Sequence, residues 1–254
     1  MSPMPAEPVP PPQPTWSRRL GAEFAGTGLL VTVVVGSGIA AERLSPDDVG
    51  LQLLQNSLAT TLGLAVLILV LGPVSGAHLN PVVSLADWCL GRHTGGLSLR
   101  GAGAYIAAQT AGAISGAVLA NAMFGVPPAL ATTVRTGGGL LVAEVVATAG
   151  LLVVILSLTR TERGSLVAPA VGAYIGAAYW FTSSTSFANP AVTVGRIFTD
   201  SFAGIAPGST PAFVVAQLLG ATIGVAAAVA LYPLSQARSR AGARPGSETV
   251  ARHS

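Results

Sequence analysis

The chain has 254 residues, 51% of them apolar and only 9% charged, against roughly 25% charged in an ordinary soluble domain. That composition excludes a water-soluble globule, and a single cysteine, Cys89, excludes a disulfide scaffold. All 13 basic side chains are arginine and they flank apolar runs, so the pI near 9.6 is a topology signal and no nucleic-acid footprint.

In chain order, residues 1–17 hold seven Pro in the first 14 positions and no positive charge before Arg18. They read as an extended, disordered tail, and they lack the basic start and Pro-free apolar core of a secretory signal. Six apolar spans follow at about 20–41, 52–72, 101–124, 138–159, 165–183 and 211–232. Each is near the roughly 20 residues that a 30 Å hydrocarbon layer requires. Residues 75–91 and 184–198, after spans two and five, are apolar but short and interrupted by Pro. Each reads as a re-entrant half-helix, which is tolerated at membrane depth where it lines a wet cavity. Residues 236–254 are polar, Arg-rich and read as a second disordered tail.

Arginine placement orients the spans. With both tails cytoplasmic, the inner face receives Arg18, Arg19, Arg92, Arg100, Arg160, Arg163, Arg238, Arg240, Arg244 and Arg252, and the outer face only Arg43, Arg135 and Arg196. This predicts a multi-pass protein of the cell (inner) membrane.

An internal repeat divides the chain. Ala22-Glu23-Phe24-Ala25-Gly26-Thr27 recurs as Ala143-Glu144-Val145-Val146-Ala147-Thr148, Asn80-Pro81-Val82-Val83 as Asn189-Pro190-Ala191-Val192, and Gln109 with Gly112 and Gly116 as Gln217 with Gly220 and Gly224. Three spans separate equivalent points, and an odd number inverts the second half. The paired re-entrant segments then share an interface near the bilayer midplane, where permeation or binding sites lie.

Asn-Pro suits a helix start, with Asn as N-cap and Pro at the first helical position, whose missing N–H is not needed there. Two half-helices entering from opposite faces would bring their N-termini together, with the Asn80 and Asn189 carboxamides as donors to a passing solute and a positive partial charge against cations. One Asn-Pro alone reads as a turn. Two copies embedded in a repeat favour the pore.

Ala22-Glu23-Phe24, Ser75-Gly76-Ala77-His78-Leu79-Asn80-Pro81 and Ser186-Phe187-Ala188-Asn189-Pro190-Ala191 resemble the aquaporin and glycerol facilitator channels, the major intrinsic protein family, over about Arg19 to Tyr232. The resemblance implies an all-α membrane protein with six transmembrane helices plus two re-entrant half-helices. It implies a channel domain over 18–235, with inverted halves at about 18–125 and 136–235, a pore in every subunit of a homotetramer, and no cofactor or metal. The partners it implies are the lipid bilayer and small uncharged solutes.

Departures from the family pattern bear on the substrate. The box residues Pro81, Val82, Pro190 and Ala191 keep the pattern, except that Val82 stands where the family usually has Ala. Val192 follows the second box where family members usually place an Arg that narrows the outer filter. Spacing from the boxes puts the other filter positions near Thr60, Ala177 and Ser186. A filter of Thr, Ala, Ser and Val is wide, weakly polar and without fixed charge, so it should admit solutes larger than water.

Other residues carry two readings each. Intramembrane carboxylates such as Glu23 and Glu144 are functional by default, but the resemblance implies that both accept hydrogen bonds from the re-entrant loops. His78 either lines the pore as a pH sensor or fixes its loop. Arg196, four residues after Val192, either reaches back toward the filter or pairs with Asp200 or the interface. Cys89 reads as a small buried apolar group, the glycine pairs as close helix packing, and Tyr179, Trp180 and Tyr232 as interfacial anchors.

No phosphate loop, metal-ligand cluster or activated nucleophile marks an enzyme. A passive channel for small uncharged solutes leads, and an ion-coupled secondary transporter, which would share the inverted repeat, is the alternative. Val192, the continuation Thr193-Val194-Gly195-Arg196 and the segment Ala178-Tyr179-Trp180-Phe181-Thr182 are similar to bacterial aquaglyceroporin-like channels associated with arsenic resistance. That similarity adds arsenous acid or methylated arsenicals to glycerol and water as candidate solutes.

Overall fold

A computed structural model describes residues 14–91 and 95–233; most of both tails read from the sequence lies outside them. The described residues form eight α-helices: α1 (Trp16–Leu44), α2 (Val49–Ser75), α3 (Pro81–Gly91), α4 (Leu99–Met123), α5 (Gly138–Arg160), α6 (Val167–Phe181), α7 (Pro190–Gly195) and α8 (Thr210–Leu231). α1 opens at Trp16 and so takes in the last residues of the stretch read as tail.

α1, α2, α4, α5 and α8 are long and apolar enough to cross a membrane. α6 is shorter, with 15 residues led in by a 3-10 turn at Gly164–Leu166, and it completes the six. α1 has 29 residues, about 43 Å of helix at about 1.5 Å per residue. That exceeds the hydrocarbon layer, and the charged ends with Arg18, Arg19, Glu42 and Arg43 account for the excess. α3 and α7 are the half-helices. The face at which α1 begins and α8 ends is called proximal below, and the opposite face distal.

Polar side chains fix several helix starts. The Leu51 N–H donates to Asp48 Oδ1 at 2.8 Å to open α2, and the Gly101 N–H donates to Ser98 Oγ at 3.0 Å to open α4. α2 ends on Gly76, whose φ of 88° is the left-handed conformation that glycine adopts without a Cβ penalty.

The two halves are built on the same contact. α4 packs on α1, and α8 on α5, at backbone distance. A Cβ at Gly112 would overlap the Phe24 carbonyl oxygen and one at Gly116 the Gly28 carbonyl oxygen. In the second half, Cβ atoms at Gly220 and Gly224 would overlap the Val145 and Ala149 carbonyl oxygens. Between apolar helices in lipid there is little hydrophobic drive, so this close approach supplies the dispersion contact that holds the pairs. Thr32 Oγ1 uses it to donate to Gly116 O at 3.1 Å, across the α1–α4 seam.

Gly116→Ala should lower the thermal midpoint of the protein in detergent, an overpacking loss of about 1–3 kcal/mol. Gly103→Ala, on the same helix with nothing within 4 Å of the added methyl, should be neutral or slightly stabilising through helix propensity. Equal midpoints for the two variants would contradict the seam.

Candidate functional site

The site is built around two strained loops. Ala77 and Leu79 before α3, and Thr185, Ser186 and Ala188 before α7, all have positive φ, between 46° and 62°. Each such non-glycine residue costs about 1–3 kcal/mol and persists only where its surroundings impose it.

A buried carboxylate imposes it in each half. Glu23 Oε1 accepts from Ser75 Oγ at 2.6 Å and the His78 N–H at 3.0 Å, and its Oε2 from the Leu79 N–H at 2.8 Å and Gln109 Nε2 at 2.7 Å. Glu144 Oε1 accepts from Ser184 Oγ at 2.6 Å and the Phe187 N–H at 2.9 Å, and its Oε2 from the Ala188 N–H at 2.9 Å and Gln217 Nε2 at 2.7 Å. Each glutamine also donates to a hydroxyl on its half-helix, Gln109 to Ser84 at 3.0 Å and Gln217 to Thr193 at 2.8 Å. The inverted repeat is therefore preserved bond for bond. Both carboxylates are fully buried, and these donors occupy both oxygens of each.

The loops then lock onto one another. Asn80 Nδ2 donates to Ala188 O at 2.8 Å and Asn189 Nδ2 to Leu79 O at 2.8 Å. The other end of each carboxamide caps its own half-helix: Asn80 Oδ1 accepts from the Val82 N–H at 3.1 Å, and Asn189 Oδ1 from the N–H groups of Ala191 at 3.0 Å and Val192 at 3.2 Å. A carboxamide has two N–H bonds. One is committed to the opposite loop, leaving one on each Asn for a ligand.

Both Asn side chains line a cavity of about 430 Å³. It runs from Tyr179, Ser186 and Arg196 at the distal end to Asp87 and Arg160 at the proximal end. One wall carries the loop residues 76–80 and 186–189, and the facing wall is aliphatic, including Val34, Leu64 and Val171.

Thr60, Ser186 and Val192 line the cavity, but Ala177 does not: it is exposed on the outer face of α6. Tyr179 takes its place, two residues on and so about 200° round the helix. Its hydroxyl lies 3.0 Å from Thr60 Oγ1. Tyr179 is consequently buried and no interfacial anchor, whereas Trp180 is half exposed and donates to Ser57 Oγ at 3.2 Å. Val82 packs in the core, and its neighbour Val83 faces the cavity. Pro81, Pro190 and Ala191 are likewise buried outside the lining. Cys89, expected to be buried, is exposed, on the last turn of α3.

His78 lines the proximal half and its Nδ1 lies 3.1 Å from Ser84 Oγ, with Tyr105 edge-on at 5.3 Å. Arg196 is not on α7, which stops at Gly195. It opens a 3-10 turn, is buried, and lines the distal end of the cavity. Its Nε donates to Ala203 O and its guanidinium carbon stands 3.4 Å from the Phe187 ring centre. Asp200 is not its partner. That carboxylate is exposed and accepts from the Thr132 N–H and hydroxyl, both at 2.9 Å, which hold it below the ordinary carboxylate range. Ser186 Oγ is buried and has no protein partner.

Tyr179, Phe187 and Arg135 were missed from the sequence. Only tertiary geometry turns a helix-end tyrosine inward or brings a loop arginine, 61 residues earlier in the chain than Arg196, beside it.

A profile of the major intrinsic protein family matches residues 12–186. The chain belongs to that family. It is 52% identical over 211 residues to an aquaglyceroporin, AqpS, of Rhizobium meliloti strain 1021, covering 83% of this chain and 88% of that one. It is 30% identical over 250 residues to a probable aquaporin, AqpM, of Archaeoglobus fulgidus, covering 86% and 96%. Among solved structures, the fold matches the aquaglyceroporin of Plasmodium falciparum with a TM-score of 0.64 at 21% identity, over 90% of this chain and all of that one. Family membership makes this protein a passive membrane channel and not an enzyme.

Glu144→Gln replaces one acceptor oxygen by an NH2 that must face two donors, so it should destabilise the fold by about 1–3 kcal/mol. Glu23→Gln should cost a similar amount, because its bonds are the same in kind and number. Unchanged melting of both variants would show that the carboxylates do not hold the loops.

Proposed function

We propose that the cavity is a passive pore for water and neutral hydroxylated solutes of glycerol size, with arsenous acid or methylated arsenicals as further solutes. The observation that carries this reading is the pair of uncommitted polar groups along one wall: one N–H on each of Asn80 and Asn189. Across from them the wall is aliphatic. A polyol presents hydroxyls on one side and C–H on the other, so it replaces its hydration on the polar wall and loses little on the apolar one. The AqpS relative, an aquaglyceroporin by name, supports glycerol. The similarity of residues 178–182 and 192–196 to arsenic-associated channels supports arsenous acid, which is neutral at pH 7 and displays hydroxyls in the same way.

In this reading Thr60, Tyr179, Ser186 and Val192 form the distal selecting station, and Val192 keeps it wide. Arg196 supplies its charge from one turn further out. The guanidinium has no acid partner among the described residues, so it opposes cations before they reach the midplane Asn pair. Glu23 and Glu144 serve as structural anchors, since their oxygens are saturated with donors, and this argues against a proton-coupled transporter. The proximal face is cytoplasmic by its arginine excess, both tails lie on it, the membrane is the inner one, and the assembly is a homotetramer.

Proteoliposomes should pass glycerol and water at rates independent of proton and sodium gradients. Water flux with glycerol and arsenous acid both excluded would refute the reading. Val192→Arg should lower the glycerol-to-water permeability ratio by about tenfold, a discrimination of about 1.4 kcal/mol; equal loss of both fluxes in an assembled tetramer would place the selecting station elsewhere.

A further inference from the structure

At the distal mouth, two arginines flank one aromatic ring. The guanidinium carbon of Arg196 stands 3.4 Å from the centre of the Phe187 ring, and that of Arg135 stands 5.2 Å from the same centre. The two also divide one stretch of backbone between them. Arg135 donates through Nε to Gly204 O at 2.9 Å and through Nη2 to Phe202 O at 3.1 Å, while Arg196 Nε donates to Ala203 O, the carbonyl in between.

Arg135 belongs to the segment joining α4 to α5, which links the two halves of the repeat. That segment is stitched to the loop after α7: the Ala131 N–H donates to Ile197 O at 2.8 Å, the Ala206 N–H to Thr133 O at 2.8 Å, and the Arg135 N–H to Ser209 Oγ at 3.0 Å. Gly204 sits at the crossing, where a Cβ would come within 3.0 Å of the Ala131 Cβ. The segment is thus a fixed strap across the pore mouth.

A long arginine side chain has many rotamers, and ordering it costs conformational entropy. Two features select the one seen for Arg196: the Phe187 face it lies on, and the Ala203 carbonyl that takes its Nε proton. Arg135 bears on both. It covers the same ring, and it pins the carbonyls on either side of Ala203. It also places a like charge beside the same ring, so Arg196 gains nothing by swinging toward it.

We infer that Arg135 is a positioning residue for pore selectivity: through Phe187 and the backbone of residues 202–204 it holds the Arg196 guanidinium over the distal mouth. Selectivity of the pore is thereby set in part by the connection between the halves, outside both Asn-Pro loops. The inference rests on the reading of Arg196 as the charged group of the distal station. Without Arg135, the acceptor at Ala203 relaxes and Arg196 withdraws. The mouth widens, so larger polyols gain on water and the barrier to cations falls.

The test compares Arg135→Met, Arg196→Met and the double variant as full-length protein in proteoliposomes, reading the xylitol-to-water permeability ratio and, in planar bilayers, cation conductance. Arg135→Met should raise the ratio at least about threefold in the same direction as Arg196→Met, and the double variant should exceed Arg196→Met alone by little, as expected of residues acting through one another. A purely structural role would lower thermal stability and scale all fluxes together, leaving the ratio unmoved. An unchanged ratio in Arg135→Met, with Arg196→Met shifted, overturns the inference and leaves the distal station standing. No effect of Arg196→Met overturns the station and this inference with it. Should Arg135→Met not assemble, Arg135→Lys carries the test under the same criterion, since it keeps the charge but has no planar fork to span two carbonyls.

Discussion

A single buried carboxylate holds each re-entrant loop, and the rest of the pore depends on that arrangement. A loop at membrane depth has no water to satisfy its N–H groups, and these two also carry five non-glycine residues at positive φ. Glu23 and Glu144 meet both demands, each accepting two backbone N–H groups of its loop together with a hydroxyl and a glutamine amide. With the N–H groups turned outward to the carboxylates, the loop residues line the cavity in between. The cross-loop bonds of Asn80 and Asn189 then fix the two loops at one separation, so neither half is complete alone.

The glycine seams make this arrangement reachable. Glu23 and Gln109 meet because α1 and α4 approach to backbone contact at Gly112 and Gly116, and Glu144 and Gln217 meet because α5 and α8 do so at Gly220 and Gly224. A side chain at any of these glycines would push the glutamine donor away from its carboxylate. Packing and polar satisfaction are therefore one constraint, and the sequence repeat of Glu, Gln and paired Gly is its imprint.

That imprint explains what could be read without coordinates. Six spans, two half-helices and their inversion follow from apolar length and from a repeat whose members are chemically demanding residues. Side-chain direction near helix ends does not follow. Ala177 and Tyr179 differ by two residues, about 200° of helix rotation, which spacing from the Asn-Pro boxes alone does not fix, and the structure turns Tyr179 inward onto Thr60. Cys89 fails for a related reason: apolar residues on a membrane helix need not be buried in protein, because lipid solvates them equally well. Arg135 carries no local signal, since its partners Phe187, Phe202 and Gly204 come from the two distant loops that flank α7.

Charge placement distinguishes this pore from one with an arginine directly after the second Asn-Pro box. In the proposed pore, Val192 would leave the throat uncharged and wide, yet a cation entering from the distal side would still meet Arg196, with Arg135 beside it. Burying Arg196 and half-burying Arg135 without a carboxylate partner among the described residues is costly. Here three consecutive carbonyls and the face of Phe187 share the work of solvating them. Backbone carbonyls carry partial negative charge but no net charge, so they hold the guanidiniums without cancelling their field at the mouth. A carboxylate there would have neutralised it, and the one nearby in sequence, Asp200, is instead turned outward and tied to Thr132. Width and cation exclusion, which a single arginine in the throat would set against one another, are in the proposed arrangement assigned to different residues.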